Sequence, residues 1–364
     1  MAVDRDAVAG RFMEVALSEG ARGLGRTSPN PPVGCVIVKR GRVVGRGWHR
    51  KAGLPHAEIE ALRMAGKRAR GADVYVTLEP CRHHGRTPPC TDALIKAGVA
   101  RVFAGTKDPD PRVSGRGIRA LRGARIVTRV GVRERECRNL IADFAHWVRT
   151  GQPRFCLKLA ASLDGRIATR SGASQWISSA SSRAVVQEMR NRADVVLVGV
   201  GTVLTDDPRL TCRRKGGRNP VRVVLDGRLR TPVDARVVSG GGRLVLVARP
   251  GASQLRRRRL EDSGAEVVEL RGKGPRLWPR LAKELGGRGL HSVLVEGGMT
   301  VATSLIAAKM VNSLRIFYNP RLIGSDGIAI VGPLKVRSLA QSIRFRTVEW
   351  KCLGEDMIWT GEPR

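Results

Sequence analysis

Short apolar runs alternate with amphipathic stretches along most of this chain. In the first half, VGCVIV (33–38), RVVGRGW (42–48), DVYVTL (73–78) and ARVFAG (100–105) read as strands, with helices from about Ala57 and about Thr91 between them. A second series comprises RFCLKLAAS (154–162), DVVLVGVG (194–201), PVRVVLDG (220–227), GRLVLVA (242–248), HSVLVEGG (291–298) and SLRIFY (313–318). Helices across 180–192 and from Met299 are interleaved with it. Strands alternating with helices predict a layered α/β fold in both halves. HWVRTGQPR (146–154), with its Gly and Pro, is the expected boundary between a domain over 1–148 and one over 153–364. RRKGGRNP (213–220) and RGKGPR (271–276) read as surface loops, and no solenoid-type repeat is present.

Composition narrows the class. A chain of 364 residues, 42% of them apolar, suits two globular domains. No apolar run approaches bilayer length, and MAVDRDAVAGRFMEVALSEG mixes both charges within an amphipathic pattern, so a soluble cytoplasmic protein without membrane partners is expected. The seven cysteines (35, 81, 90, 137, 156, 212, 352) are odd in number and scattered, against a secreted disulfide framework. Cysteines and histidines placed close together then read as metal ligands. The net charge is +34, carried by 54 Arg against 12 Lys. Such a field attracts phosphorylated small molecules or nucleic acid. Only 4% of residues are aromatic, which leaves few stacking platforms, so the charge reads at least as well as an arginine bias on solvated faces as it does as a nucleic-acid site. QLRRRRL (254–260) is then the exposed side of a helix.

The densest chemistry lies between residues 54 and 94. LPHAEIEALRMA offers His56 and Glu58, and TLEPCRHHGRTPPC offers Cys81 and Cys90. One imidazole and two thiolates give zinc three protein ligands and leave a fourth position for water. A helix amino end near Cys90 would favour its thiolate. Residues two apart on a helix diverge by roughly 200°, so His56 and Glu58 converge only if His56 caps the helix and Glu58 sits in the first turn. A carboxylate placed there can take a proton from water and pass it to a leaving amine, as hydrolytic deamination of an aminopyrimidine requires. The plainer readings are a helix cap with a surface charge, or a closed structural zinc knuckle from Cys81, His83, His84 and Cys90.

In the second half, SVLVEGGMTVATSL is a strand, a Gly-Gly turn and a helix start, and VLVGVGT ends a strand in Gly-x-Gly. Backbone N–H groups at such turns can cradle phosphate. Neither matches a full dinucleotide fingerprint, so the residues themselves reach only a nucleotide-binding candidate.

SPNPPVGCVIV, HRKAGLPHAEIEAL, TLEPCRHHGRTPPC and DPDPRVSGRGI together resemble the deaminase half of the bifunctional riboflavin-biosynthesis deaminase/reductase (RibD-type) family. LKLAASLDGRIAT, SQWIS, VGVGTVLTDDPRLTCR and VEGG resemble its reductase half. The likeness runs from about residue 12 to about 330. It implies a cytidine deaminase-like three-layer α/β domain followed by a dihydrofolate reductase-like α/β domain that uses NADPH. It implies zinc on His56, Cys81 and Cys90, Glu58 as proton shuttle, and Asn30, His49 and His83 on the pyrimidine. In the reductase it implies NADPH along Ala160, Trp176, Thr202, Asp206 and the run Gly298, Met299, Thr300, Val301, Ala302, Thr303 and Ser304. Ser174, Arg190, Leu210, Arg213 and Glu296 would contact the substrate. Arg190 and Arg213 suit phosphate anchoring through their guanidinium forks. Lys158 and Asp206 are candidates for polarising and protonating the ribose, against plainer readings as a solvated strand charge and a turn former.

Departures are Arg82, where the family often has a small polar residue, Asn312, where an acidic one is common, and YNPRLIGSDG (318–327), where the family tends to have Ala-Pro-Lys. The expected activity is deamination of a phosphorylated diaminopyrimidine followed by NADPH reduction of its ribosyl group. A deaminase with an inactive reductase half, a nucleic-acid-editing deaminase and a non-catalytic RNA binder are the rivals. The chain is also a candidate homo-oligomer.

Overall fold

The computed structural model describes residues 5–82 and 88–364, which form two compact units, Met1–Gly151 and Gln152–Arg364. The first is built on a five-stranded sheet in the order Arg42–Trp48, Gly34–Lys39, Asp73–Leu78, Arg101–Thr106, Val127–Val130. The first three strands are antiparallel neighbours, and the last three run parallel. Alternation of side chains decides the layers. Cys35 and Ile37 point into a core closed by Ala57, Ala61, Leu94, Ile118 and Leu121, whereas Val36 and Val38 meet Ala9, Met13 and Ala16 of the helix Arg5–Ala21. Three layers result, as the family resemblance implies.

One contact fixes the site. The helix Ala57–Ala65 lies so close on the strand Arg42–Trp48 that a Cβ at Gly47 would stand 2.2 Å from the Ala57 carbonyl oxygen, and one at Gly45 would stand 2.3 Å from that of Ala61. Only glycine permits this approach, and it holds the amino end of that helix against the sheet.

The second unit carries a nine-stranded sheet in the order Glu266–Glu269, Leu244–Ala248, Val221–Leu225, Val195–Gly199, Ser292–Val295, Arg154–Ser162, Ser313–Asn319, Asp356–Pro363, Phe345–Leu353. The first seven strands are parallel, and the closing hairpin is antiparallel. Phe155, Leu157 and Leu159 pack on one face with Trp278, Leu281 and Leu305, which places Lys158 on the other, its Nζ 5.5 Å from the centre of the Phe317 ring.

Two expectations need correcting. The run 194–201 is not strand throughout: the strand ends at Gly199, and a helix spans Val200–Asp206. Continuous apolar residues hide such a change of period, because Val200 and Val203 are buried at helical spacing while Val196 and Val198 are buried at strand spacing. The closing hairpin was not expected at all. Its outer strand Phe345–Leu353 is exposed along most of its length, so it lacks the apolar face that marks a strand in sequence. QLRRRRL does form the exposed helix Gln254–Asp262, anchored by buried Leu260.

Candidate active sites

In the first unit, His56 is the N-cap of Ala57–Ala65 with extended backbone (φ −72°, ψ 164°), and Glu58 lies in the first turn, 3% exposed. This is the arrangement that lets two residues so close in sequence converge. Cys81 follows the strand Asp73–Leu78 through Glu79 and Pro80, and Cys90 opens the helix Cys90–Lys96. The ligand atoms of His56, Cys81 and Cys90 all lie within 4.8 Å of one another. His56 Nδ1 is 3.2 Å from Cys90 Sγ and 3.6 Å from Cys81 Sγ. A tetrahedral zinc with ordinary bond lengths separates an imidazole nitrogen from a thiolate by about 3.6 Å, so the donor set fits the metal in chemistry and spacing.

Electrostatics suit proton traffic. Burial raises the Glu58 carboxyl to about 7, helped by the charge on Cys81 and opposed by His56. The thiol pair shares one charge: the Cys90 thiol hydrogen-bonds Cys81 and holds it down at about 4, while the Cys90 thiol itself is pushed up. The helix amino end acts here too, since the Cys90 backbone N–H donates to Cys81 Sγ at 3.3 Å. The sequence assigned that help to Cys90; the geometry gives it to Cys81, because the N–H points back across the turn.

His49 is 2% exposed, and burial lowers its pKa. Its Nδ1 lies 3.1 Å from the Pro55 carbonyl, which can only accept, so Nδ1 carries the proton and Nε2 accepts from Asn30 Nδ2 at 3.0 Å. Asn30 Oδ1 therefore remains an acceptor. His83 and His84 lie outside the described residues. Arg82 pairs with Asp92 in the first turn of the following helix.

Glu79 was missed in the sequence. This buried carboxylate accepts from the backbone N–H groups of Asp108 (3.3 Å), Gly115 (2.8 Å) and Ile118 (3.1 Å), one residue before Pro80. A Cβ at Gly117 would lie 1.9 Å from the Pro80 carbonyl oxygen. The motif DPDPRVSGRGI is thus tied to the turn that presents Cys81. An acidic residue between a strand and a Pro-Cys turn was the available signal.

In the second unit a cavity of about 1090 Å³ lies along the carboxyl ends of the parallel strands, where open α/β sheets bind ligands. Lys158, Ala160, Ser174, Trp176, Arg190, Thr202, Asp206, Leu210, Arg213, Glu296, Gly298, Met299, Thr300, Val301 and Ser304 all line it. Ala302 and Thr303 do not. Ala302 is fully buried in the core, and the Thr303 hydroxyl donates to Met299 O and accepts from Gly332 N. On a helix two residues of such a run must turn inward.

Arg190 closes a bidentate pair on Glu296 (2.7 and 3.0 Å) and donates to the Thr211 carbonyl at 3.1 Å. Its fork thus engages a carboxylate, leaving Arg213 as the exposed guanidinium. Burial opposes ionisation of Glu296, yet Arg190, Lys158 and Arg213 together hold its pKa below the ordinary value. Burial lowers the pKa of Lys158, with Glu296 acting against it. Ser174 Oγ donates to Asp206 Oδ1 at 3.3 Å, and Ser304 Oγ accepts from Trp278 Nε1 at 2.8 Å. Gly298 caps the helix Met299–Ala307, and added Cβ atoms at Gly298 and Gly201 would meet nothing closer than 3.9 Å. Open backbone at a helix amino end suits a pyrophosphate, so these residues fit a dinucleotide. Asn312 clamps Phe155, its Oδ1 accepting from the Phe155 N–H at 2.7 Å.

Residues 153–359 match the RibD C-terminal domain family, and residues 7–106 match the cytidine and deoxycytidylate deaminase zinc-binding region. The chain is 42% identical over 348 residues to the riboflavin biosynthesis protein RibD of Aquifex aeolicus, covering 95% of this chain and 96% of that protein. Among solved structures, RibD of Acinetobacter baumannii superposes with a TM-score of 0.90 at 35% identity, covering 99% of this chain and all of that one. A diaminohydroxyphosphoribosylaminopyrimidine deaminase/5-amino-6-(5-phosphoribosylamino)uracil reductase from Thermotoga maritima gives 0.87 at 36% identity, covering 99% of each chain. Both halves of the expected fold are thereby established, and among the described residues no helix is long and apolar enough to cross a membrane.

Proposed function

The chain belongs to the RibD family of riboflavin-biosynthesis proteins, and on that premise we propose that its two units act in succession on one phosphorylated pyrimidine. The first hydrolyses the 2-amino group of 2,5-diamino-6-(5-phosphoribosylamino)pyrimidin-4(3H)-one with release of ammonia. The second reduces the ribosyl group with NADPH to give 5-amino-6-(5-phosphoribitylamino)uracil. The observation that carries the reading is the convergence of His56, Cys81 and Cys90 beside the buried carboxylate of Glu58.

His56, Cys81 and Cys90 would hold zinc, which when bound would supply the Lewis acidity that makes water nucleophilic at neutral pH. Glu58, buried in the first turn beside that donor set, is placed to take a proton from water as the oxygen adds to C2 and to deliver it to the departing amino nitrogen. Asn30, fixed by neutral His49, offers Oδ1 to the pyrimidine N–H groups, and His83 has the binding role that family resemblance implies.

NADPH, when bound in this cavity, would supply the hydride that C1′ of the ribosyl group takes up. As the bond from C1′ to the ring oxygen breaks, the Lys158 ammonium gives that oxygen a proton. Burial lowers the pKa of Lys158, and the Glu296 carboxylate, paired with Arg190, acts against that shift and favours the ammonium. Arg213 takes the 5′-phosphate, with Ser174 and Leu210 beside the substrate. Asp206 assists the proton transfer and, with Ala160, Trp176 and Thr202, would hold the nicotinamide half of the cofactor, while the open backbone of the helix start at Gly298, Met299, Thr300 and Val301, with Ser304, would hold its pyrophosphate.

Incubating the protein with the diaminopyrimidine phosphate while following ammonia and NADPH together tests this. Ammonia release should precede an equal amount of NADPH oxidation. Glu58→Ala should abolish the ammonia signal with zinc retained, and supplying the deaminated pyrimidine should restore NADPH oxidation. Loss of zinc from that variant would make Glu58 structural, and ammonia without NADPH oxidation would reduce the protein to a deaminase.

A further inference from the structure

The helix Ala180–Arg192 organises the substrate end of the second site. From it Arg190 reaches Glu296 and the Thr211 carbonyl, Gln187 Oε1 accepts from the Arg213 backbone N–H at 2.8 Å, and Glu188 pairs with Arg214. Arg183 and Gln187 line the cavity beside Arg190, as spacings of three and four residues require of one helix face. The backbone of Arg213, the residue that takes the 5′-phosphate, is therefore set by this helix. Where the helix lies decides where the phosphate can go.

That helix begins with half a cap of its own. Ser179 is the N-cap, and its Oγ accepts from the Ser182 N–H at 3.3 Å. A complete capping box adds a Glu or Gln at the third helical position, which reaches back to the N-cap N–H. Here that position is Ser182, and the carboxylate comes from 174 residues further on. Asp356 opens the second strand of the closing hairpin and is 1% exposed. One of its oxygens accepts from the Ser179 N–H at 2.7 Å and from Ser182 Oγ at 2.5 Å, and the other accepts from Asn319 Nδ2 at 2.7 Å. Asn319, buried at the end of the strand Ser313–Asn319, accepts in turn from Arg321 Nε at 2.6 Å. The hairpin turn rests on the same helix start, since an added Cβ at Gly354 would stand 3.8 Å from Ser181 Oγ.

The directions of these bonds are fixed. Asn319 turns its oxygen to Arg321 and hence its NH2 to position 356, while Ser179 presents a backbone N–H from the other side. Position 356 must accept on both sides, which a carboxylate does and an amide does not. Burying a carboxylate gains little net stability over an apolar contact, but its directional bonds admit one placement of the helix. From Ser182 the helix rises about 8 Å to Gln187 and about 12 Å to Arg190, so a displaced amino end is carried to both. Resting on the reductase reading above, we infer that Asp356 is a positioning residue for the second reaction: by completing the cap of Ala180–Arg192 it sets where that helix lies and, through Gln187, the seat that Arg213 offers the substrate phosphate. The closing hairpin belongs to the substrate site in this sense without lining it.

Calorimetric titration of the full-length, zinc-loaded protein with the deaminated pyrimidine phosphate, and with the same compound lacking its phosphate, tests the inference. Binding at the first unit is common to all variants, so differences among them report the second. Asp356→Asn sets an NH2 against Asn319 or against the Ser179 N–H; it should weaken the phosphorylated compound by about 10-fold and the dephosphorylated one by less than about threefold. Adding Asn319→Asp moves the carboxylate to the other partner, where it accepts from the amide at position 356 and from Arg321, and should restore binding to within about twofold of wild type. Ser182→Ala removes one of the three bonds without setting donor against donor, and should weaken the phosphorylated compound by about threefold with folding intact. Equal weakening of both compounds by Asp356→Asn, or a loss that Asn319→Asp does not recover, makes Asp356 a stabilising residue only and overturns the inference. Unaltered binding overturns it too, as does a wild-type protein indifferent to the phosphate. A protein that follows the expected pattern but oxidises no NADPH would sink the reductase reading and leave the positioning role standing.

Discussion

His56 and Cys90 lie 34 residues apart and meet through three short segments, whereas Arg190 and Glu296, the central pair of the second site, meet across 106 residues. The first site is a local device. A helix cap, a Pro-Cys turn and a helix start each place one ligand, and the sheet only has to bring three element ends together. The second is distributed over the ends of parallel strands, so each residue depends on sheet order and on the packing of both faces. The first site should therefore fail sharply when one atom changes, and the second should degrade by degrees.

The largest effect that separates the two is metal removal. Stripping the protein with a chelator, or replacing Cys81 by Ser, should abolish ammonia release while NADPH oxidation with pre-deaminated pyrimidine stays within about twofold, because only the first unit has a zinc donor set among the described residues. Parallel loss of both activities would show that the sites are not independent. Next, Lys158→Met should slow reduction by about 10² to 10⁴ and leave ammonia release unchanged, the span for removing a general acid. The pH profile sharpens this test. Lys158 faces Glu296 and Arg190 and pairs in register with Arg315, and its burial lowers its pKa from 10.5. The proton donor is thus present at low pH and lost as pH rises through that lowered value, so the alkaline limb of the reductase profile should fall below 10.5 and disappear in the variant. A limb that persists in Lys158→Met would assign the proton to another group. Smallest is Gly47→Ala, whose Cβ would stand 2.2 Å from the Ala57 carbonyl oxygen. Pushing the helix off the sheet should cost about 1 to 3 kcal/mol in urea unfolding and reduce deamination more than zinc content, since Glu58 rides on that helix.

The same contrast explains how much could be read from the sequence. His56, Cys81 and Cys90 were legible as candidate zinc ligands with Glu58 as a proton carrier from residue type and spacing, beside the plainer readings of a helix cap and a closed zinc knuckle, and so was the need for His56 to be a cap if the pair is to converge. In the second unit spacing reached only a possible nucleotide fold, and Lys158, Arg190 and Asp206 entered through family resemblance. No local pattern marks a lysine on the inner face of a strand as different from a solvated one; Phe317 and Glu296, which give it meaning, come from distant strands. Arg190, read for its fork as a phosphate anchor, is bound to Glu296, a partner that no local pattern reveals.

Glu79 bears on how the first unit could be re-engineered. Its carboxylate suspends the stretch between Asp108 and Ile118 from the residue that precedes the Pro80–Cys81 turn. Exposed positions of that stretch can take new side chains, but lengthening or shortening it would tug on a zinc ligand. Tolerance to substitution and intolerance to insertion would thus coexist in the same few residues.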